Sequence, residues 1–337
     1  MSEIILDRAA YAHNLAQIAA KVGGAERVFL VAKDNSYGHG CRLCCEEAAK
    51  LSFVRAVTRS AAEAAQIADL FDEILVLSHI PRGDEDERFC YAVNDLSYFS
   101  RLKRGLKIYI AADTAMHRNG IGASELDETL RLCKEGGFKL RGFFTHFRAS
   151  DELSGDFFAQ RQNFIEFKRL ARQKAAAAGF ENLKFHSSNS AAIERSAGFE
   201  DEYVRVGMAQ FGYPQFDESL NLRPVLKLYA DLISSRVLKK GERVGYGAKF
   251  EAPRDMRIGT YDLGYADGLF RYDGEGELAL ASGQKMLGKM SMDSFCAEFG
   301  GERICVLDDA RIWAKHFGTI EYEILVKLNS NIPRRFQ

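Results

Sequence analysis

Lys33 occupies a position where a lysine side chain could act as a nucleophile. The apolar run Val28–Ala32 ends at this lysine, and a polar segment with two glycines (residues 34–40) follows. A short apolar run bounded by turn residues is typical of a buried strand in a parallel sheet. The helical pattern of Cys41–Leu51 completes a strand–loop–helix unit and puts Lys33 at the carboxyl end of its strand. In α/β barrels that end carries the chemistry, and a poorly solvated lysine amine there can form a Schiff base. Spacing alone favours the simpler alternative, a surface lysine that closes a strand.

Four further polar clusters follow predicted strands. They are Asp113–Gly120, Thr145–Phe147, His186–Ser190 and Arg205–Met208. Taken singly, each has a structural explanation: Asp113 as a helix N-cap, His146 as a core histidine, Arg205 as half of a surface ion pair. Because four clusters fall at successive strand ends of one predicted sheet, we expect them to form one site.

The composition is that of an ordinary globular chain of 337 residues, long enough for two domains. A formal net charge of −1 gives no reason to expect a nucleic acid or an acidic membrane surface as a partner. No apolar stretch reaches membrane-spanning length, and we expect no signal peptide and no membrane association. Seven cysteines, an odd number, fit the reducing cytoplasm better than a disulfide framework. Cys41, Cys44 and Cys45 fall at helical spacing without a matching His/Cys pair, so we interpret them as packing residues and expect no metal site.

The elements that position these clusters alternate between strand and helix. After a strand at residues 2–8 and a helix at 9–21, further strands are predicted at residues 28–32, 53–58, 73–77, 89–93, 107–111, 139–144, 183–186 and 203–206. The longer predicted helices cover residues 41–51, 60–70, 123–134 and 156–178. Roughly eight units in about 220 residues fit a (β/α)8 TIM-type barrel. A doubly wound sheet would give a similar string, so the periodicity alone leaves both open.

The rhythm changes after Pro224. Residues 225–238 alternate in places, glycine-rich turns recur, and helical patterns almost vanish until the end of the chain. This pattern is typical of a β-rich domain. We therefore predict a barrel domain at residues 1–223 and a smaller, mostly β domain at residues 224–337, with the strand at residues 2–8 joining the second domain.

The segment Lys33-Asp-Asn35-Ser-Tyr37-Gly38-His39-Gly40 resembles the pyridoxal-phosphate lysine motif of the bacterial alanine racemases. The four polar clusters resemble the same family, in order and at similar spacing. In the second domain, Asp262–Gly268 is similar to the family's Gly-Tyr-Ala-Asp-Gly segment, and Gly288–Asp293 to a substrate-side loop. The resemblance extends from about Ile4 to Arg334.

The resemblance implies a cofactor site on the barrel. Lys33 would hold pyridoxal 5'-phosphate through a Schiff base. Its phosphate would be bound by Tyr37, Asn189, Ser190 and the backbone of Gly207 and Met208, since hydroxyls and backbone N–H groups are natural phosphate ligands. Arg205 would meet the pyridine nitrogen and, because a guanidinium keeps its proton, would leave that nitrogen unprotonated.

The resemblance also implies two bases on opposite faces of the substrate's Cα, Lys33 and Tyr265. Tyr265 would reach into the site of the partner subunit of a homodimer. An ordinary tyrosine phenol is a poor base near neutral pH, and in the family a histidine, here His146, hydrogen-bonds the tyrosine and connects it to the arginine. Arg118, Met292 and Asp293 would contact the substrate. The alternative explanation of Tyr265 is a core aromatic of the β domain.

Four positions depart from the family pattern: Ala111, Ala115, Arg148 and Ser330. The family often has a carbamylated lysine at the first of these, where it steadies the equivalent of Arg118. Because a buried arginine needs a counter-charge, we expect a substitute anion beside Arg118, either a chloride or a carboxylate such as Asp151 or Glu152. By its sign, Arg148 would add to that need.

The sequence thus predicts a cytoplasmic, homodimeric alanine racemase that interconverts L- and D-alanine and supplies D-alanine for peptidoglycan. A broad-specificity amino-acid racemase is the nearest alternative, because nothing in the sequence fixes the size of the side-chain pocket. A non-catalytic pyridoxal-phosphate carrier on a similar barrel is the alternative of a different class, although such carriers lack the β domain.

Overall fold

The computed structural model describes residues 1–199 and 202–337. The chain divides into two compact units. What we call the barrel unit comprises residues 12–34 and 44–222, and what we call the β unit comprises residues 1–11, 35–43 and 223–337. Both units therefore draw on more than one stretch of the chain, and residues 35–43, just after Lys33, belong to the β unit. The expected division into a cofactor-binding domain at residues 1–223 and a second domain at residues 224–337 stays a prediction.

The first strand, β1 (Glu3–Leu6), lies in the β unit. The barrel unit contains the next eight strands: β2 (Val28–Val31), β3 (Arg55–Thr58), β4 (Glu73–Val76), β5 (Cys90–Val93), β6 (Lys107–Ala111), β7 (Lys139–Phe144), β8 (Lys184–His186) and β9 (Val204–Val206). Their order is β8-β7-β6-β5-β4-β3-β2-β9, and neighbours are parallel. A parallel bridge between His186 and Tyr203 links the two ends of this sheet. The predicted (β/α)8 barrel is confirmed as a nearly closed barrel of eight parallel strands.

Most residues of these strands are apolar and pack in the interior, and the buried Glu73 of β4 has Arg55 and Lys184 as ion-pair partners. All four residues of β2, β4 and β5 are buried, as a parallel sheet covered on both sides requires. Bulky aromatic side chains fill the core, among them Phe29, Tyr91, Tyr109, Phe143 and Phe185, each fully buried. This packed core supports the carboxyl ends of the strands.

Each helix predicted from the sequence is found among the described residues, and shorter helices that were not predicted accompany them. Together they are α1 (Arg8–Val22), α2 (Lys33–Tyr37), α3 (Cys41–Lys50), α4 (Ala61–Ala65), α5 (Leu126–Glu135), α6 (Asp156–Ala177), α7 (Ser190–Arg195), α8 (Ala310–Phe317) and α9 (Glu321–Val326). The helix expected at residues 60–70 is shorter than predicted. It begins with a capping box between Ser60 and Glu63 and ends at Ala65. No helix in the described ranges is long and apolar enough to cross a membrane.

The segment after Lys33 differs from the loop that the sequence suggested. Residues 34 to 37 have φ angles of 53°, 55°, 51° and 52°, so α2 is a left-handed helical turn built from four residues other than glycine. Left-handed helix costs roughly 1–2 kcal/mol per residue for L-amino acids. Local preference therefore opposes this turn, and contacts elsewhere in the fold must stabilise it.

The β unit is organised around one long strand, β10 (Leu226–Leu238). The other strands are β11 (Arg243–Val244), β12 (Phe250–Glu251), β13 (Met256–Tyr261), β14 (Met286–Leu287), β15 (Phe295–Glu298), β16 (Arg303–Leu307) and β17 (Arg334–Phe336). The main sheet has the order β14-β15-β13-β10-β1-β17, with β16 also on β10. β1 pairs antiparallel with β10 and parallel with β17. The mostly β second domain is confirmed.

Candidate active site

A pocket of about 370 Å³ opens at the carboxyl ends of the barrel strands. Its lining includes Lys33, Arg118, Thr145, His146 and Arg205, which come from four different strand ends or loops. The barrel therefore brings together side chains that lie up to 172 residues apart in the chain. One amine, two guanidiniums and one imidazole around a small cavity form a strongly basic site.

Arg205 is held rigidly beside this pocket. Its side chain is buried, and its Nη1 donates to the carbonyl oxygen of His186 at 2.9 Å and to Nδ1 of the same residue at 2.8 Å. Its Nη2 donates to the carbonyl oxygen of Thr145 at 2.6 Å. The guanidinium also lies 5.5 Å from the ring centroid of Phe144. Its acceptors lie on β8 and on the residue that follows β7, and together they orient the guanidinium.

His186 accepts a hydrogen bond from a guanidinium, so its Nδ1 carries no proton. Its ring lies between Phe144 and Phe29, with centroids 5.3 Å and 4.9 Å away. Burial, and then the charge of Arg205, holds the pKa of this histidine well below its usual range. His186 therefore remains neutral and serves as a hydrogen-bond acceptor that orients Arg205.

His146 is also kept neutral. Burial is the largest cause that lowers its pKa, to about 3, and the charges of Arg205, Arg118 and Lys33 add to the effect. Its Nδ1 lies 3.5 Å from Nη2 of Arg205, and its carbonyl oxygen accepts a hydrogen bond from Nε2 of Gln160 at 2.9 Å. With Nδ1 facing a donor, the ring proton belongs on Nε2, which leaves that atom available as a donor.

A second cluster lies between β9 and α7. The side-chain oxygen of Ser190 accepts hydrogen bonds from the backbone N–H of Gly207 at 3.1 Å and of Ala209 at 3.4 Å. Asn189 is the N-cap of α7, and its Oδ1 accepts from the N–H of Ala192 and from the hydroxyl of Ser150. The structure thus brings Asn189, Ser190, Gly207 and Met208 together as the sequence suggested. Hydroxyls and backbone N–H groups in one place are the donor set that a phosphate needs.

Arg118 lies on a loop whose base is fixed by backbone hydrogen bonds. The N–H of Ile121 donates to the oxygen of Ala111, and the N–H of Asp113 donates to the oxygen of Ile121, both at 2.9 Å. Arg118 itself is exposed, and within the described ranges it has no ion pair with Asp151 or Glu152. The carboxylate substitute that we expected beside it is therefore not found, and the chloride alternative stays a prediction.

The expected repulsion by Arg148 is also not found, because that arginine is neutralised. Its Nη2 lies 2.7 Å from Oδ2 of Asp156. Its Nη1 donates to the carbonyl oxygen of Ala115 at 2.7 Å. Ala115 has a φ of 120°, a conformation that favours glycine. Two of the four departures from the family pattern thus contact each other, and Arg148 stabilises a strained residue in the Arg118 loop.

The remaining candidates lie in the β unit. Tyr265, which is 38% exposed, begins a short turn whose backbone bonds to the next loop. The N–H of Tyr265 donates to the oxygen of Ser291 at 3.3 Å, and the N–H of Ala266 donates to the oxygen of Met292 at 2.9 Å. A Cβ on Gly264 would lie 2.0 Å from that methionine oxygen, so only glycine allows this approach. Tyr265, Met292 and Asp293 are therefore neighbours on two joined loops.

Tyr37 also belongs to the β unit. It ends α2, is buried, and packs edge-on against Tyr322 with ring centroids 5.8 Å apart. The next residue is Gly38, where a Cβ would lie 2.0 Å from the carbonyl oxygen of Leu325. The glycine after Tyr37 is therefore required by a close backbone approach as well as by its φ of 80°.

Two family models match almost the whole chain. The one described as alanine racemase, N-terminal domain, matches residues 6–215, and the one described as alanine racemase, C-terminal domain, matches residues 225–336. The chain belongs to the alanine racemase family. The resemblance found in the sequence is thereby confirmed, and the match to the C-terminal domain argues against a carrier protein that lacks one.

Individual relatives agree over their full lengths. An alanine racemase of Campylobacter curvus is 55% identical over 336 residues, with 100% of both chains covered. One from Campylobacter jejuni is 50% identical over 334 residues, with 99% of each chain covered. The solved alanine racemase of Bacillus anthracis with bound L-Ala-P is 26% identical with a TM-score of 0.87, covering 100% of this chain and 95% of its own.

Alanine racemases depend on pyridoxal phosphate, and the residues of the barrel unit fit this group. A cavity of about 370 Å³ is within the usual range for small-molecule sites, roughly 300–1,000 Å³. It offers an amine for a Schiff base in Lys33 and a fixed guanidinium in Arg205. The Ser190–Gly207 cluster adds uncharged donors of the type that bind phosphate. The chain is thus an isomerase of the pyridoxal-phosphate-dependent racemase class.

Sequence reasoning missed the side chains that orient the site. His186 entered the sequence predictions only as part of a strand-end cluster, and Gln160 had no predicted role. Gln160 is buried on α6, accepts from the N–H of Arg148 at 3.0 Å and donates to Thr114 and His146. A glutamine at an apolar position of an amphipathic helix was the available signal.

Proposed function

We propose that this protein racemises alanine, interconverting the L- and D-enantiomers in the cytoplasm and supplying D-alanine for peptidoglycan. The observation that carries the proposal is the juxtaposition of Lys33, His146 and Arg205 around one pocket. When bound there, pyridoxal phosphate withdraws electrons from the Cα of the amino acid and makes its Cα–H acidic. The odd number of cysteines supports a reducing compartment.

Each of the candidate residues has a separate task. Lys33 holds the cofactor and, once substrate has taken its place, moves a proton on one face of Cα. Arg205 keeps its proton at any relevant pH and leaves the pyridine nitrogen unprotonated, which limits the build-up of charge in the ring. Asn189, Ser190, Tyr37 and the backbone of Gly207 and Met208 bind the phosphate. Arg118 pairs with the substrate carboxylate.

Tyr265 moves a proton on the opposite face. We propose that it comes from a second copy of the chain, so that the homodimer has shared sites, with Met292 and Asp293 beside it. A neutral His146 whose Nδ1 faces Arg205 has its proton on Nε2 and can donate it towards a phenolate. A phenolate stabilised in this way is a competent base near neutral pH, whereas an isolated phenol is a poor one.

The proposal is tested by measuring racemisation of L-alanine, L-serine and L-lysine side by side. We expect alanine to be turned over with the highest kcat/KM. Comparable values for serine or lysine would favour the broad-specificity alternative. Substituting Lys33→Ala should abolish both racemisation and covalent attachment of the cofactor, while Lys50→Ala, on an exposed part of α3, should change neither. Full activity of the Lys33→Ala variant would overturn the assignment.

A further inference from the structure

The backbone is fastened on both sides of Lys33 to the same neighbouring strand–helix unit. Before it, the N–H of Ala32 donates to the carbonyl oxygen of Val57 on β3 at 2.8 Å. After it, the N–H of Asp34 donates to Oε1 of Glu63 on α4 at 2.8 Å. Lys33 is thus the single residue between the last bond of the strand and the first bond of the turn that follows.

The bond to Glu63 meets a specific need. Asp34 begins the left-handed turn, and the first N–H groups of any helical turn have no acceptor within it. A carboxylate from α4 supplies that acceptor from outside. Since the left-handed conformation is opposed by the chirality of its residues, an external contact at its first residue affects where Lys33 points.

Glu63 is itself held in one orientation. Its Oε2 accepts from the N–H of Arg59 at 2.7 Å and from the N–H of Ser60 at 3.3 Å. The backbone N–H of Glu63 donates to the hydroxyl oxygen of Ser60 at 3.3 Å. Arg59 in turn forms an ion pair with Oδ1 of Asp34 at 3.3 Å. One oxygen of Glu63 therefore caps its own helix, and the other caps the turn that follows Lys33.

We propose that Glu63 is a positioning residue for Lys33. Its carboxylate fixes the backbone at Asp34 and so sets the direction of the Lys33 side chain in the pocket. This inference rests on the proposed function, in which Lys33 holds the cofactor and moves the proton on one face of Cα. It adds a residue from the next βα unit, 30 positions further along the chain, to the machinery of the site.

The test compares Glu63→Ala and Glu63→Gln with Ser60→Ala in the holoenzyme. Ser60→Ala removes the hydroxyl that caps α4 but leaves the bond from Asp34 to Glu63. Glu63→Gln keeps one oxygen, which should stay at the α4 cap because two N–H groups point to it there, so the new NH2 group faces the N–H of Asp34 and that bond is lost. The first readout is amide hydrogen exchange at Asp34, which should be about ten-fold faster in both Glu63 variants and unchanged in Ser60→Ala.

The second readout is directional. With Lys33 displaced, kcat should fall by about ten- to a hundred-fold with little change in KM, and exchange of the Cα hydrogen of D-alanine with solvent should slow more than that of L-alanine. A general loss of structure would slow both equally. If Glu63→Ala does not fold, Glu63→Gln carries the test.

Unchanged exchange at Asp34, or equal slowing for both enantiomers, would overturn the positioning role. That result would leave the proposed function intact if Lys33→Ala remains inactive. Full activity of Lys33→Ala would overturn the proposed function first, whatever the Glu63 variants do.

Discussion

At the scale of single residues, the site depends on groups whose charge is fixed by their surroundings. Arg205 keeps its proton because it is a guanidinium, and His146 loses its proton because burial and three nearby cations lower its pKa to about 3. In the proposed site, a neutral His146 between Arg205 and a phenol would donate to the phenol oxygen and would not compete for its proton. The two candidate bases, Lys33 and Tyr265, can then act on separate faces.

Separate bases predict a lopsided response to Tyr265→Ala. Removal of the Cα hydrogen from L-alanine should fail, because the base on that face is lost. Exchange of the Cα hydrogen of D-alanine with solvent should persist, since Lys33 serves that face. The measurement is deuterium incorporation from D₂O for each enantiomer, with Tyr265→Phe as the variant that removes only the hydroxyl. Equal loss from both enantiomers would contradict two separate bases.

At the scale of elements, strained segments are placed next to the chemistry. The left-handed turn α2 follows Lys33, and the loop that carries Arg118 contains Ala115 at a φ of 120°. Neither conformation is stable by itself, and each is stabilised by a bond from another element: Glu63 for the turn and Arg148 for the loop. Such strain is common at active sites, where the surrounding fold determines the local geometry.

The contact between Ala115 and Arg148 predicts a coupled pair of substitutions. Ala115→Gly should raise the free energy of unfolding by about 1 kcal/mol, because glycine adopts the positive φ without strain. Arg148→Ala should raise KM for alanine several-fold, since it loosens the loop that carries Arg118. In the double variant KM should rise less than in Arg148→Ala, because a glycine at position 115 no longer needs the bond from Arg148. Urea unfolding and KM, each measured for the four proteins of a double-mutant cycle, would test this. Strict additivity of the two changes would show that the residues are not coupled.

At the scale of the whole molecule, a shared site predicts complementation between subunits. Lys33→Ala and Tyr265→Ala chains should each be inactive in racemisation, but their mixed dimer should contain one complete site. Random mixing in equal amounts makes about half of the dimers mixed, so about a quarter of the original activity should return. The matched control is the chain that carries both substitutions mixed with the unaltered chain, whose mixed dimers should be inactive. Isolated mixed dimers without activity from the first pair would contradict the shared site.

Buried neutral histidines predict how stability depends on pH. Burial lowers the pKa of His39 to about 3, and that of His146 to about 3, against a usual value of about 6.5. Below pH 6.5 the unfolded chain takes up protons at these histidines and the folded chain does not. Their effect on the free energy of unfolding is therefore absent above pH 6.5, and below it the free energy of unfolding falls as the pH drops towards 3. Each contributes about 1.4 kcal/mol per pH unit in that window.

The His39→Gln variant isolates one of these contributions. His39 is fully buried, and its Nδ1 lies 3.0 Å from the oxygen of Tyr37 and 3.2 Å from that of Ser36. Urea unfolding between pH 7.5 and 5.5 should therefore show a mean slope smaller by about half a proton than in the unaltered chain. An identical slope in both proteins would mean that His39 is not neutral in the folded state.

The sequence by itself determined the strands of the barrel unit and the longer helices, and its family resemblance pointed to the barrel and to the candidate residues. These features are local: an apolar run predicts a buried strand, and a motif such as Lys33–Gly40 is read from adjacent residues. It did not determine the left-handed turn, because the residues of that turn prefer the right-handed region. The left-handed conformation is stabilised by the Glu63 carboxylate, which lies 29 positions after Asp34 in the chain.

Only the tertiary structure decided the charge of His146, the orientation of Arg205 by His186, and the contact between Arg148 and Ala115. Each depends on groups that are distant in the chain and meet because parallel strands end at the same edge of the barrel. The sequence pointed to a repulsive Arg148, whereas the fold pairs it with Asp156 and aims it at a carbonyl oxygen. Electrostatic effects follow from distances and burial, and neither can be read from residue types alone.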